Sequence, residues 1–317
     1  MDAVFKDLIE QKSHGMCLLE HLEPCIPYLD SDAWRALLLS GGIQLDGEVV
    51  LDNVILQQGQ HLIYTIHNYQ EDAVNVGWRL LWEGEDIIAI HKPANLPVSR
   101  TTRNVYNTLI QLVRRESSWP DAHLLHRLDL ETSGIILLSK DKTGASRWQP
   151  QLKILIEQKI YHAVVYGNPT WQETSLECDL NTRKDSPIRC QMHVCEEGEK
   201  GKASHTRFKV IQSGKGYSLL ECELLSGRKH QIRAHLAHLG HPIVGDKIYA
   251  HQGDYYLKRL QDAITEQDQA RLQTPHHLLH AHQLVIHPAD SSSQLLIDKD
   301  YPKAFEEFCE RFGMSLM

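Results

Sequence analysis

The stretch that most constrains this chain is the apolar run Gly134-Ile135-Ile136-Leu137-Leu138, closed by Ser139-Lys140-Asp141. β-Branched residues at its start and polar residues at its end predict a buried strand. Immediately before it come His126-Arg127-Leu128-Asp129-Leu130-Glu131-Thr132-Ser133, which crowd charges and two hydroxyls at the strand's mouth. A carboxylate there is partly desolvated and needs a partner. Arg127 is the nearest candidate for Asp129, and an R-x-D spacing taken alone is most simply a loop ion pair.

The 317 residues exceed the usual size of a single core, so two domains are expected. No apolar run is long enough to span a bilayer, and Met1 to Asp7 lacks the basic start and apolar core of a signal peptide. Seven scattered cysteines fit a reducing compartment rather than a disulfide framework, so cytoplasm is expected. The net charge of −8 argues against a nucleic-acid partner until its distribution is considered. Residues 1–70 hold ten acidic side chains against three basic ones, whereas residues 91–250 hold 23 basic against 16 acidic. The middle of the chain therefore offers the local positive charge that phosphate contacts need.

Residues 1–14 have the spacing of a short amphipathic helix (Val4, Phe5, Leu8, Ile9). Ser31 or Asp32 can cap a helix through Leu39, which Gly41-Gly42 stops. Ile43-Gln44-Leu45 and Val49-Val50-Leu51 flank Asp46-Gly47 as a hairpin, and strands at 54–56 and 62–66 complete a unit over residues 1–67. Residues 68–79 are polar and read as a linker; residues 80–317 read as a second domain. Its strands include Leu80 to Ile90, ended by Lys92-Pro93, and 159–167, with Tyr161 and Ala163 on one face. Further strands are expected at 208–211, 217–224 and 280–288. Helices are expected from His230 to Leu239 and from Pro302 onward, the latter with Phe305, Phe308 and Phe312 on one side. Residues 252–274 form an amphipathic insertion. The class is α+β.

His230, His235, His238 and His241 invite a metal reading, but no H-E-x-x-H or carboxylate ligand accompanies them. Cys190 and Cys195 are near one another, but no second pair completes a zinc site. Three groups are chemically suggestive: Asp129 before a buried strand, Tyr161 facing inward, and Arg233 on the helix after Gly227-Arg228. Each also has a structural reading, since buried Asp–Arg pairs often only hold a fold and inward tyrosines are usually core.

The string from His126 to Gly134 resembles, residue for residue, the signature of the RluA-type pseudouridine synthase family. So do I-I-A-I-H-K-P-A-N-L-P-V at 87–98, K-x-Y-x-A-x-V-x-G at 159–167, Gly201-Lys202-Ala203, and Gly227 through His235. Gly240 through Asp246 and Leu279-His280-Ala281 continue the match, in order, over about residues 80–310. The first unit resembles the small RNA-binding domain of ribosomal-protein-S-four type, although Arg35 is its one cation between Lys12 and Arg79.

The resemblance implies a mixed, mostly antiparallel central sheet flanked by helices and loops. It also implies isomerisation of a specific uridine to pseudouridine in structured RNA, ribosomal ahead of transfer RNA, by a monomeric enzyme without metal or cofactor. Asp129 would act at the ribose, Tyr161 would stack on the base, and Arg233 would pair with Asp129 and keep it ionised. The nucleotide must be flipped out of its stack, with Arg127 or His126 filling the space. Lys92, Arg228, Lys229 and His230 would contact phosphate or pocket. On this reading Arg127 faces RNA instead of Asp129. The alternative on the same fold is a non-catalytic RNA-binding or ribosome-assembly factor, which the complete Asp129, Tyr161 and Arg233 set disfavours.

Overall fold

The computed structural model describes residues 2–26, 29–183, 185–261, 264–288 and 292–316. Two compact units emerge: Met1–Val74 with Ser99–Leu112, and Asn75–Val98 with Val113–Met317.

The first unit contains β1 (Ala3–Leu8), β2 (Ile43–Leu45), β3 (Glu48–Val49) and β4 (His61–Ile66), in the antiparallel order β1-β4-β2-β3. The N-terminal residues are thus a strand, not the expected helix. A helix this short is marginal alone, whereas β1 pairs with β4 along its whole length and stacks Phe5 on Tyr64 with ring centroids 4.9 Å apart. The helix Ser31–Leu39 is capped by Asp30, one residue ahead of the expected position; its carboxylate accepts the Ala33 N–H at 2.8 Å. Asp46 and Gly47 both take left-handed φ (51° and 87°), as a tight two-residue hairpin requires. Residues 54–56 contribute a single bridge, Ile55 to Cys17, in place of a strand. The stretch read as a linker supplies Glu71, which accepts N–H bonds from Val105, Tyr106 and Asn107 at 2.5, 2.7 and 2.9 Å. Those bonds fasten segment 99–112 into this unit.

The second unit is built on one sheet of β5 (Arg79–Glu83), β6 (Ile87–Lys92), β7 (His123–Leu124), β8 (Ser133–Ser139), β9 (Ile156–Tyr166), β10 (Glu173–Thr182), β11 (Met192–Val194), β12 (Lys202–Gly214), β13 (Tyr217–Leu224), β14 (Leu279–Ile286) and β15 (Gln294–Ile297). The order is β11-β10-β12-β13-β9-β14-β8-β6-β5, with β15 added to β14 and β7 to β8. β8 pairs parallel with β14, and the other pairs are antiparallel. β8 is buried along its length. Gly134 lies opposite Ala281 at φ +107°, where an added Cβ would stand 2.6 Å from the Ala281 nitrogen. Only glycine permits that approach. Sequence reading missed β10, because only Leu180 of its ten residues is buried and no apolar alternation marks it. The insertion folds as helices Asp254–Gln261 and Glu266–Leu272; residues 262 and 263 between them lie outside the described residues. Among the described residues no helix is long and apolar enough to cross a membrane.

Candidate active site

The string ahead of β8 is pinned almost residue by residue. The His126 ring accepts the Leu137 N–H at 3.1 Å, and burial holds that ring neutral by lowering its pKa to about 3. The Leu130 carbonyl accepts from Lys92 Nζ at 3.1 Å. Glu131 accepts from Lys247 Nζ at 2.7 Å and from the His277 N–H at 3.1 Å. The Thr132 and Ser133 hydroxyls bond the rings of His277 and His280, each at 2.8 Å. Arg127 differs: it is exposed, and its guanidinium bonds no described residue.

Asp129 points at Arg233, which lies buried on the helix Gln231–His238. Arg233 Nη1 donates to Asp129 Oδ2 at 2.7 Å, while Nε and Nη2 donate to the two oxygens of Asp246 at 2.7 and 2.9 Å. Asp246 Oδ1 also accepts the N–H groups of Ile248 and Tyr249 at 2.9 and 3.1 Å. One guanidinium therefore stands between an inner carboxylate with no solvent exposure and an outer one that is 27% exposed. The Tyr249 ring lies 5.1 Å from the guanidinium carbon, and its hydroxyl meets His230 Nδ1 at 3.1 Å. His230 Nε2 stands 3.9 Å from Asp129 Oδ1.

The charges follow from this arrangement. Burial, the largest single influence, would raise the Asp129 carboxyl, but the charge and hydrogen bond of Arg233, with smaller contributions from His230 and His277, together bring the pKa down to about 2. Burial, reinforced by Arg233, lowers His230 to about 3, so it is a neutral ring at physiological pH. Tyr161, buried on β9, has its phenol pushed up by burial and by the negative charge of Asp129, so it stays protonated. The helix bearing Arg233 is set in place by buried Gln231, whose side-chain nitrogen donates to His205 O and Thr206 Oγ1, each at 2.9 Å. The site thus presents one ionised carboxylate, partly open to solvent, with a buried aromatic ring close enough to feel its charge.

The family model for RNA pseudouridylate synthase matches residues 86–238, a span that includes all three of these groups. An uncharacterized RNA pseudouridine synthase of Synechocystis (slr1592) is 32% identical over 228 residues, 71% of this chain and 77% of that protein. The chain belongs to the RNA pseudouridylate synthase family. That family is one of RNA isomerases. The human pseudouridylate synthase RPUSD2 is 33% identical over 68% of this chain, but the chain spans only 39% of that relative's length. Among solved structures, human RNA pseudouridylate synthase domain containing 4 superposes with a TM-score of 0.58 at 25% identity, covering 75% of this chain and 94% of that one.

Of the residues in the synthase signature, Asp129 and Arg233 are paired, Tyr161 is buried on β9 opposite Ala281, which in turn pairs with Gly134 of β8, and Arg127, Arg228 and Lys229 are exposed. Arg228 Nε still donates to the Ala203 carbonyl at 2.9 Å. Two expected RNA contacts, Lys92 and His126, need correction. Lys92 is fully buried, donating to the carbonyls of Pro93, Leu96 and Leu130, and burial lowers it to about 7. It braces the loop and cannot reach a phosphate. His126 is committed to Leu137, so it is not free to fill the space of a flipped base, whereas His230 is a neutral ring 3.9 Å from Asp129 and lies in the pocket. Sequence reading overlooked Asp246, Tyr249 and the Glu131–Lys247–His277 cluster. The signal was present for Asp246: an acid directly after Ile243-Val244-Gly245 is a carboxylate entering a core, and it requires a cation.

Proposed function

We propose that this chain isomerises a specific uridine of a structured RNA to pseudouridine, with Asp129 as the group acting on the ribose. The observation that carries the reading is the Asp129 carboxylate itself, held on Arg233 at 2.7 Å and open to solvent where its inner counterpart Asp246 is closed. A group with its pKa near 2 is fully ionised at neutral pH, as the step at the ribose demands while the bond to N1 breaks. Tyr161 offers a ring face against which the freed uracil can turn before it reattaches through carbon 5. A base in a stacked RNA must first be flipped out, and exposed Arg127, two residues from Asp129, is the side chain to fill its place. Arg228 and Lys229 supply phosphate contacts.

The first unit acts as an S-four-like module ahead of the catalytic domain, a layout that favours ribosomal over transfer RNA. The enzyme works as a cytoplasmic monomer. The test is Asp129→Asn assayed on ribosomal and transfer RNA transcripts. Pseudouridine formation should vanish while RNA affinity and melting temperature stay near wild type. Retained isomerisation refutes the role of Asp129. A wild-type protein that binds RNA but modifies none would support an RNA-binding factor instead.

A further inference from the structure

We infer a binding site for a divalent transition metal, Zn²⁺ by its donor chemistry, formed by His193, Cys195 and Glu199. His193 lies on β11 and Cys195 just beyond its end, two residues on and so facing the same side. The Cys195 N–H bonds the Asp179 carbonyl at 2.9 Å, which holds this backbone against β10. The chain then turns, Glu199 N–H to Glu196 carbonyl at 3.0 Å, and brings the Glu199 carboxylate back to His193 Nε2 at 2.8 Å. One donor atom from each of the three residues lies within 4.8 Å of the other two.

Zinc bonds to imidazole, carboxylate and thiolate are about 2.0–2.3 Å long, so tetrahedral donors stand roughly 3.3–3.8 Å apart. The most separated donors therefore need to close by about 1 Å and the His193–Glu199 pair, at 2.8 Å, to open by about half that, both within side-chain reach. A thiolate with an imidazole favours zinc over magnesium or calcium, which take oxygen ligands. Glycine at 201 makes room for the thiol, since a Cβ there would fall 2.5 Å from Cys195 Sγ. His193 Nδ1 is buried without a partner, so the ring's one hydrogen bond is the Nε2 contact with Glu199. In the metal-free protein the imidazole N–H and the thiol hold that space, and a bound cation would displace their protons.

The fourth position would open on a cleft of about 700 Å³ whose walls include His193, Glu199, Arg183, Lys200 and Tyr249. The H-x-C-x₃-E spacing is not a common zinc pattern, and it becomes visible only once the turn closes. The metal would clip the turn at 196–199 back onto β11 and take no part in isomerisation.

The test uses the full-length, reduced, chelator-stripped protein titrated with Co²⁺. A thiolate-to-cobalt charge-transfer band with the visible bands of a tetrahedral site should saturate at one equivalent and be displaced by Zn²⁺. Cys195→Ser should abolish the charge-transfer band, and His193→Ala and Glu199→Gln should each weaken Zn²⁺ binding at least tenfold. Cys190→Ser should leave the spectrum unchanged. Zn²⁺ should also slow cleavage by a glutamate-specific protease within residues 196–199 of the wild type but not of His193→Ala. Failure to saturate near one equivalent, or a band that survives Cys195→Ser, overturns the site.

Discussion

Replacing Asp246 by Asn tests whether the inner carboxylate is the frame on which the site hangs. Asn keeps one oxygen, which can still accept from Ile248, Tyr249 and Arg233 Nη2. Its amide then faces Arg233 Nε, a donor against a donor where a 2.7 Å charge-assisted bond had been. Hydrogen bonds to charged groups contribute about 1.5–3 kcal/mol each, and removing one partner of a buried pair costs about 3–5 kcal/mol. Arg233 keeps Asp129 as a counter-charge, so the lower end, about 3 kcal/mol, is expected. For a unit of this size that is a drop of roughly 6–12 °C in melting temperature. Burial raises the Asp246 carboxyl but Arg233 lowers it further, so its folded pKa lies below the unfolded one. Its stabilisation is therefore complete above the unfolded value and lost only as pH falls through the folded one. The gap between variant and wild type should accordingly be the same at pH 6.5 and 8. Loss of the planar clamp on Arg233 should also slow pseudouridine formation by about tenfold to a hundredfold, the scale set by small misplacements of a catalytic group. Thermal melts and single-turnover assays at both pH values check this. A variant melting within 2 °C of wild type, by the same scale under about 1 kcal/mol, refutes the frame.

Other perturbations separate bracing from contact. Gly134→Ala should cost more than about 2 kcal/mol, because it combines strain at φ +107° with a clash against the Ala281 backbone; an unchanged melting temperature defeats that reading. Burial keeps His162, His277 and His280 neutral in the fold, at about 3, 4 and 4, whereas unfolded histidine titrates near 6.5. Stability is thus complete above pH 6.5 and falls below it, by about 1 kcal/mol per histidine between pH 6.5 and 5.5. Buried His126, His230 and His235 are lowered in the same way, so guanidinium unfolding at those two values should show a loss of about 3–6 kcal/mol, and a flat profile would contradict it. Lys229→Ala should reduce the slope of log affinity for RNA against log salt by about 1, whereas Lys92→Met should leave that slope alone and lower the melting temperature. The reverse pattern would exchange their roles.

What could be read from the sequence tracks how the information is stored. β8 was legible because five consecutive apolar residues bounded by polar ones have few other fates. The Asp46-Gly47 hairpin was legible because its backbone angles demand those residues. β1 and β10 were not: the first is chosen by its partner β4 over a competing helical spacing, and the second is an open strand with almost no buried face. The site divides in the same way. Asp129 announced itself by lying at the mouth of a buried strand, but Asp246 is meaningful only with Arg233, thirteen residues back, and with Asp129, in the loop ahead of β8. Lys92 was expected among the phosphate or pocket contacts because the sequence does not reveal what surrounds its ammonium. Only the fold shows three carbonyls converging on its ammonium.

That convergence explains how a short loop can hold a reactive carboxylate still. Leu130, Glu131, Thr132 and Ser133 are tied to Lys92, Lys247, His277 and His280, three of those partners coming from sequence more than a hundred residues downstream. Asp129 is the residue just before this fastened run, so its backbone is fixed while its side chain stays directed at Arg233. Arg127 lies before it and remains untethered. Arg127 is thus the exposed residue between a tied His126, whose ring accepts the Leu137 N–H, and the fastened run that follows Asp129. Loosening the tied side should therefore harm catalysis without touching RNA affinity, and removing Arg127 should disturb the flipped RNA without altering the Asp129–Arg233 pair. On the proposed mechanism the R-x-D spacing separates Asp129, whose side chain is paired with Arg233, from an exposed Arg127 placed to meet the substrate.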